Sequence, residues 1–240
     1  MKPWHYQPAK DLSLKLNERI VSLKREGGLG SAMVHRPAWA ILHGYMVVCH
    51  RMRIIGRKNL PESGAFVLVA NHSSHLDAVA LGSILPAAIR DRACPVAAQN
   101  TFFTGPVSSS FSAFCLNALP LSRAHCGMHA LHMLRERLID SEQVLILFPE
   151  GTRTRTGEMG RFRQGIGTLV SGTAIPVVPC WIDGAFTAWP PQRSMPGWGK
   201  ISVTIGTPLC FTEVPNDHHG WAEVAARLEA AIRSLAAGSP

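Results

Sequence analysis

At 240 residues, with 46% apolar and only 17% charged side chains, the chain is too hydrophobic to be a disordered segment and long enough to bury a core of its own. A net charge of +8 and a pI near 9.6 argue against a cationic partner and point to an anionic one, either a lipid surface or a nucleic acid. The six cysteines are scattered without a CxxC pair, so neither a zinc ribbon nor a dithiol redox motif is supported, and reduced, mostly buried thiols are expected.

The N-terminal stretch MKPWHYQPAK has neither an apolar h-region nor a small-residue cleavage site, so the protein is expected to stay in the cytoplasm. Residues 1–60 hold eleven Lys or Arg against Asp11, Glu18 and Glu26, and this excess equals the whole net charge. No aromatic interleaving or nucleic-acid reading motif accompanies these basic residues, so an anionic bilayer fits better than nucleic acid. In DLSLKLNERIVSLKRE, residues 11–26, Leu12, Leu16, Ile20 and Leu23 fall on one helical face, which predicts a basic amphipathic helix. GGLG breaks that pattern, Pro37 can open a second helix, and WAILHGYMVV is apolar around most of its circumference. The expectation is a two-helix hairpin over residues 1–52 lying on a membrane. Its greasiest run, Ala38 to Cys49, is too short for the roughly 20 residues a spanning helix needs.

From residue 54 short apolar runs alternate with helical patterns. AFVLVA (65–70), VLILF (144–148), IPVVPCWI (175–182) and ISVTIG (201–206) read as strands, the first two continuous enough to be buried on both faces. Helices are predicted near 76–85, 124–140, 161–172 and 220–236. WPPQRSMPGWG, 189–199, is a loop by its proline and glycine content. The predicted fold is therefore α/β, a single domain over 53–240 with a mixed, partly parallel sheet flanked by helices, preceded by the N-terminal hairpin.

Two stretches could carry chemistry. In NHSSHLD, His72 and Asp77 are five residues apart, about 140° on a continuous helix, so they meet only if His72 lies in the turn before it. Ser73 or Ser74 could cap a helix beginning at His75 or Leu76. An aspartate on the imidazole would fix its tautomer and leave the other nitrogen to take a proton from a hydroxyl. Taken alone, the motif leaves three readings open: a proton-handling pair, a metal site, and a capped helix rich in histidine. Metal is the weakest, because the spacing departs from HxHxDH. A serine hydrolase is disfavoured by the absence of GxSxG.

The second stretch, FPEGTRTRTGE, follows the strand 144–148 directly. Pro149 ends that strand, Gly151 permits close backbone approach, and Arg153 with Arg155 offers forked donors for phosphate oxygens. Both stretches lie beyond the carboxyl ends of strands, where α/β sheets bind ligands. Arg123, in LPLSR, is a further candidate for an anion. The region of Phe102, Phe103, Phe111 and Phe114 could line an apolar channel, although core packing is the plainer reading.

NHSSHLD with its H-x4-D core, LPLSR, FPEGTR and IPVVP, in this order over roughly residues 50–210, resemble the four sequence blocks of the glycerophospholipid acyltransferases, specifically the lysophosphatidate acyltransferase branch. EGTR in place of EGGRS favours a lysophospholipid acceptor. The resemblance implies that His72 is the general base and Asp77 its orienting partner. It implies that Arg123 and Arg153 hold the substrate phosphate, that Glu150, Gly151 and Thr152 shape the acceptor site, and that 175–179 is structural or acyl-lining. His75 falls on a variable position and receives no catalytic role. The implied reaction is direct acyl transfer from a thioester, coenzyme A or acyl carrier protein, to the free hydroxyl of a lysophospholipid. It needs no metal and no cofactor, and backbone N–H groups near Gly151 are candidate oxyanion donors. The implied setting is the cytoplasmic face of a membrane, as a peripheral or monotopic enzyme.

Overall fold

The computed structural model describes residues 9, 11–26, 29–98, 103, 105–121, 128–140 and 142–238. The first helix, α1, is Leu16–Ile20. It is far shorter than the periodicity over 11–26 suggests, and the cause is tertiary. Arg25 turns inward and is buried, donating to the carbonyls of Ala118 (2.7 Å) and Ile20 (3.2 Å). The Arg137 guanidinium takes the carbonyls of Leu23 and Arg25. The Ile20 carbonyl, which a helix over 11–26 would pair with Lys24 N–H, is thus taken by Arg25, while Lys24 N–H goes to the Ser22 hydroxyl (3.0 Å).

The second helix, α2, is Leu29–His50. It starts well before Pro37, which sits inside it on an exposed face. Its buried face carries His35, Trp39, Met46 and His50, while Met33, Val34, Ile41, Val47 and Val48 face outward. Trp39 packs against Gly82 of α3 (Asp77–Ile84); a Cβ there would come within 2.0 Å of the indole. Trp39 and Met46 belong to the same buried cluster as the sheet.

Seven strands form one sheet: β1 (Arg53–Ile55), β2 (Phe66–Ala70), β3 (Ala93–Ala98), β4 (Leu119–Leu121), β5 (Val144–Leu147), β6 (Val177–Asp183) and β7 (Ser202–Ile205). Their order is β1-β7-β6-β2-β5-β3-β4, with five parallel ladders and one antiparallel, β6 on β7. The mixed α/β sheet expected from the sequence is therefore present. β1, β3 and β4 escape the sequence pattern: two are three residues long, and ACPVAA has a proline and little β-branched content.

Side chains alternate between two buried layers. Phe66, Leu68 and Ala70 face α2 and α3, whereas Val67 and Val69 face the opposite layer. α3 is followed by the short helices α4 (Ala87–Arg90) and α5 (Pro106–Ser110), and a π-helical turn, Phe111–Cys115, packs on α2. On the other face lie α6 (Met128–Asp140), α7 (Gly165–Val170) and, beyond the short α8 (Ala185–Ala188), α9 (His218–Ala237). α7 is shorter than 161–172 because the backbone N–H of Phe162 binds Glu229 and that of Arg163 binds the Pro149 carbonyl. Among the described residues no helix is long and apolar enough to cross a membrane.

Candidate active site

β2 and β5 are neighbours in parallel register, Val69 opposite Leu147, so their carboxyl ends open side by side. The turn after β2 begins with a substitution of side chain for backbone. The Asn71 carboxamide accepts from the Ile182 N–H (2.8 Å) and donates to its carbonyl (2.9 Å), extending the β6 ladder while the main chain bends away. Asp77 is the first residue of α3 and closes the turn from behind. Its Oδ2 accepts from Ser73 N–H (2.6 Å), Ser74 N–H (2.8 Å) and His72 Nδ1 (2.8 Å). Neither serine caps the helix as expected. The N-cap is Leu76 with no side-chain cap, and the Ser74 hydroxyl works in the turn before it, accepting from the Leu76 N–H (3.2 Å) and donating to the Trp189 carbonyl (2.7 Å).

Asp77 is fully buried while the His72 ring keeps 14% exposure. The ring stacks on Phe148, 4.1 Å between centroids and 16° between planes. With Nδ1–H donating to the carboxylate, Nε2 is the nitrogen left for a substrate proton. Among the described residues no serine, threonine or cysteine hydrogen-bonds this ring, so no protein nucleophile accompanies it. Nor does any group of three His, Cys, Asp or Glu there suit a metal ion.

The turn after β5 is locked to the turn after β2. Glu150 is buried, and its two carboxylate oxygens accept from His72 N–H (2.7 Å) and Gly160 N–H (2.9 Å). Burial pushes its pKa up, against those two donors. Thr154 N–H returns to the His72 carbonyl (2.9 Å). Gly151 adopts φ +74°, a left-handed conformation that a Cβ would both strain and crowd against Arg163 at 2.9 Å. Its own N–H is spent on the Phe148 carbonyl (3.0 Å), so that donor is closed to an oxyanion. Thr152 is exposed. Arg123 lies outside the described residues; β4 ends at Leu121, which lines the same cavity.

Two residues that the sequence reading left aside occupy this cleft. His75 meets Arg153 through Nε2 and Nη1, and its ring tilts over Trp189 at 4.8 Å. Burial, and then the charges of Arg153 and His72, lower its pKa to about 4, so it stays neutral and can accept. Arg163 lines the cavity and donates from Nε to the Glu150 carbonyl (3.2 Å). Its one signal in the sequence is a cation just before the apolar α7, and an isolated arginine is indistinguishable from surface.

These groups stand at one end of a cavity of about 230 Å³. Its polar wall includes His72, His75, Arg153 and Arg163; Leu131, Leu134, Ile166 and Leu169 line its greasy part. None of the described phenylalanines at 103, 111 and 114 lines it; Ser112 and Leu116 do so from the same region, while Phe103 packs in the core. Phe102 lies outside the described residues. The cleft can bind an amphiphile, with anion at the arginines and apolar chain among the leucines, and present it to a base.

A profile of the family described as Acyltransferase matches residues 51–183, a span that takes in the histidine–aspartate pair and the cationic loop on adjacent strand ends. The chain belongs to that family. Among its relatives, 1-acyl-sn-glycerol-3-phosphate acyltransferase beta of Homo sapiens is 26% identical over 186 residues, 78% of this chain and 66% of that protein. The enzyme of the same name from Saccharomyces cerevisiae is 27% identical over 172 residues, 70% and 55%, and the alpha form of Mus musculus 26% over 141 residues, 58% and 47%. The chain spans about half to two thirds of the length of these curated relatives. The crystal structure of the 1-acyl-sn-glycerophosphate (LPA) acyltransferase PlsC from Thermotoga maritima superimposes with a TM-score of 0.64 at 20% identity, covering 82% of this chain and 77% of that one, which establishes a shared fold.

Proposed function

We propose that the protein transfers a fatty acyl group from an acyl thioester, on coenzyme A or acyl carrier protein, to the free hydroxyl of 1-acyl-glycerol-3-phosphate, giving phosphatidate. The observation that carries this reading is the His72–Asp77 pair at the polar end of an apolar cavity that also holds Arg153 and Arg163. His72 Nε2 takes the hydroxyl proton as the alkoxide oxygen attacks the thioester carbonyl. The new C–O bond forms, the tetrahedral oxyanion collapses, and the C–S bond breaks with the imidazolium returning its proton to the departing thiolate. Asp77 holds the imidazole in the donor-to-carboxylate tautomer and stabilises its charged form. Arg153, with Arg163 and Arg123, binds the acceptor phosphate and so orients the hydroxyl. The 230 Å³ cavity takes an acyl chain. Glu150 and Gly151 act by shaping the turn, since the Glu150 carboxylate is committed to backbone donors.

The membrane enters through α2. Its outward face of Met33, Val34, Ile41, Val47 and Val48 is apolar, and no acidic residue occurs between Glu26 and Glu62 while five basic ones do. That combination suits a monotopic attachment to an anionic, cytoplasmic leaflet.

Purified protein incubated with labelled acyl thioester and lysophosphatidate should form labelled phosphatidate, and His72→Ala should reduce kcat by about 10²–10⁴-fold, the usual worth of a general base. Undiminished turnover in that variant removes His72 as base. Equal turnover of lysolipids lacking a phosphate monoester removes lysophosphatidate as the preferred acceptor.

A further inference from the structure

The loop 189–199 takes no part in the chemistry above, yet it joins the active site to the C-terminal end of α2. At its start, the Trp189 carbonyl accepts from Ser74 and the Trp189 ring lies against His75. Gln192 donates to the Arg155 carbonyl (3.3 Å). At its end, Ile201 N–H donates to the carbonyl of His50, the last residue of α2, and the backbone of Gly199 faces the His50 imidazole. The loop is closed internally by Gly197 N–H on the Ala188 carbonyl (2.7 Å) and by Trp189 Nε1 on the Arg193 carbonyl (2.9 Å).

Despite this bracing, Trp198 is 81% and Met195 72% exposed. A braced loop that presents a tryptophan and a methionine to water gains nothing from them in the folded protein by itself. Trp198 stands three residues from Ile201, which bonds the end of α2, and the exposed Val47 and Val48 are within a turn of that same end. The loop therefore ends beside the C-terminal turn of α2. Two exposed cations, Arg193 and Lys200, flank these side chains, and no Asp or Glu occurs in the chain between Asp183 and Glu213.

We infer that Trp198 and Met195 form a second membrane anchor, inserting at the boundary between headgroups and acyl chains of an anionic bilayer beside α2. An indole with an apolar body and an N–H suits that boundary, and the flanking cations suit anionic headgroups. The flanking cations Arg193 and Lys200 and the position beside the end of α2 favour an anionic bilayer over a protein partner. The inference builds on the lipid-acceptor reading: insertion sets the mouth of the cavity at the membrane, so a lysolipid reaches Arg153 and His72 without crossing water.

The test uses the full chain and phosphatidylglycerol vesicles free of any substrate. Trp198→Ser with Met195→Ser should weaken vesicle partition about tenfold or more, from the apolar area lost to lipid. Trp198→Phe should restore most of it, and Ile139→Ser, an exposed change on α6 across the sheet, should leave it unaltered. Thermal unfolding of the double variant should match the parent, because both side chains are solvent-exposed. Acylation of a short-chain, monomeric lysophosphatidate should also be unchanged, while turnover of vesicle-borne acceptor falls. Undiminished partition overturns the inference. So does a raised KM for an acyl carrier protein thioester with partition intact, which would make the loop a protein-docking surface. Because partition is read without turnover, a parent protein that binds vesicles through the loop but acylates nothing would sink the function proposed above and leave the anchor standing.

Discussion

Asp77 spends one carboxylate oxygen on three donors, two backbone N–H groups and the His72 ring. Asp77→Asn keeps its volume but offers an N–H₂ where Oδ2 accepts or leaves only a carbonyl in its place, so the imidazole loses its charged partner. A drop in kcat exceeding any rise in acceptor KM is the expected kinetic result. Arg153 and His75 act on the other side of that split. Arg153→Ala should raise the acceptor KM by about tenfold or more for phosphate-bearing acceptors and little for neutral ones, since a charge-assisted hydrogen bond contributes about 1.5–3 kcal/mol. His75→Ala should move the same parameter in the same direction, as the imidazole accepts from that guanidinium. NMR titration of the His75 ring should find it neutral down to about pH 4. Glu150→Gln tests the turn lock. An amide can accept from one of the two backbone donors but presents its own N–H₂ to the other, costing about 1–3 kcal/mol in urea unfolding.

At the scale of one helix, α2 is an inverted amphipath whose histidines face in. His35, His43 and His50 all have pKa values lowered chiefly by burial; Asp91 opposes the shift at His35, and Arg90 and Arg57 deepen it at His43. A lowered histidine pKa means that the unfolded chain binds the proton more tightly. The stabilisation from these neutral rings is therefore complete above the unfolded value of about 6.5 and is lost as pH falls below it. Melting temperature should drop between pH 7.5 and 5.5, and by less in His50→Phe; equal drops would show that His50 is not among the groups responsible. The docking of α2 depends on Trp39 lying against Gly82. Gly82→Ala would raise helix propensity by up to about 1 kcal/mol. The added methyl would stand 2.0 Å from the indole, and overpacking of about 1–3 kcal/mol outweighs that gain. Net destabilisation is the expected sign.

For the whole molecule, the membrane surface proposed above draws on α2 as well as the loop 189–199, and α2 cannot be cut away as a hairpin. Removing residues 1–52 would strip Trp39 and Met46 from the core, so lost binding in such a truncation would report unfolding. Point charges on the exposed face are the cleaner probe. Ile41→Glu with Val48→Glu should reduce sedimentation with anionic vesicles while leaving the melting temperature close to that of the parent. Raising salt should weaken binding of the parent as well, because the basic residues act through a screened field.

Sequence by itself determined the α/β class and the strands β2, β5, β6 and β7, because apolar runs are local patterns that survive without neighbours; it offered His72 with Asp77 as one of three readings, and the resemblance selected that pair. It also marked FPEGTR as a functional turn, since a proline and a carboxylate have no ordinary reason to interrupt a buried strand. Tertiary structure decided what local pattern could not. It shortened the 11–26 helix to α1, because the inward-turned Arg25 claims the Ile20 carbonyl that Lys24 N–H would otherwise use. It turned Glu150 from a candidate ligand group into a brace, and it brought His75 and Arg163 into the cleft through partners 78 and 13 residues distant. Burial and long-range hydrogen bonding set those roles, and neither is written in the spacing of neighbouring residues.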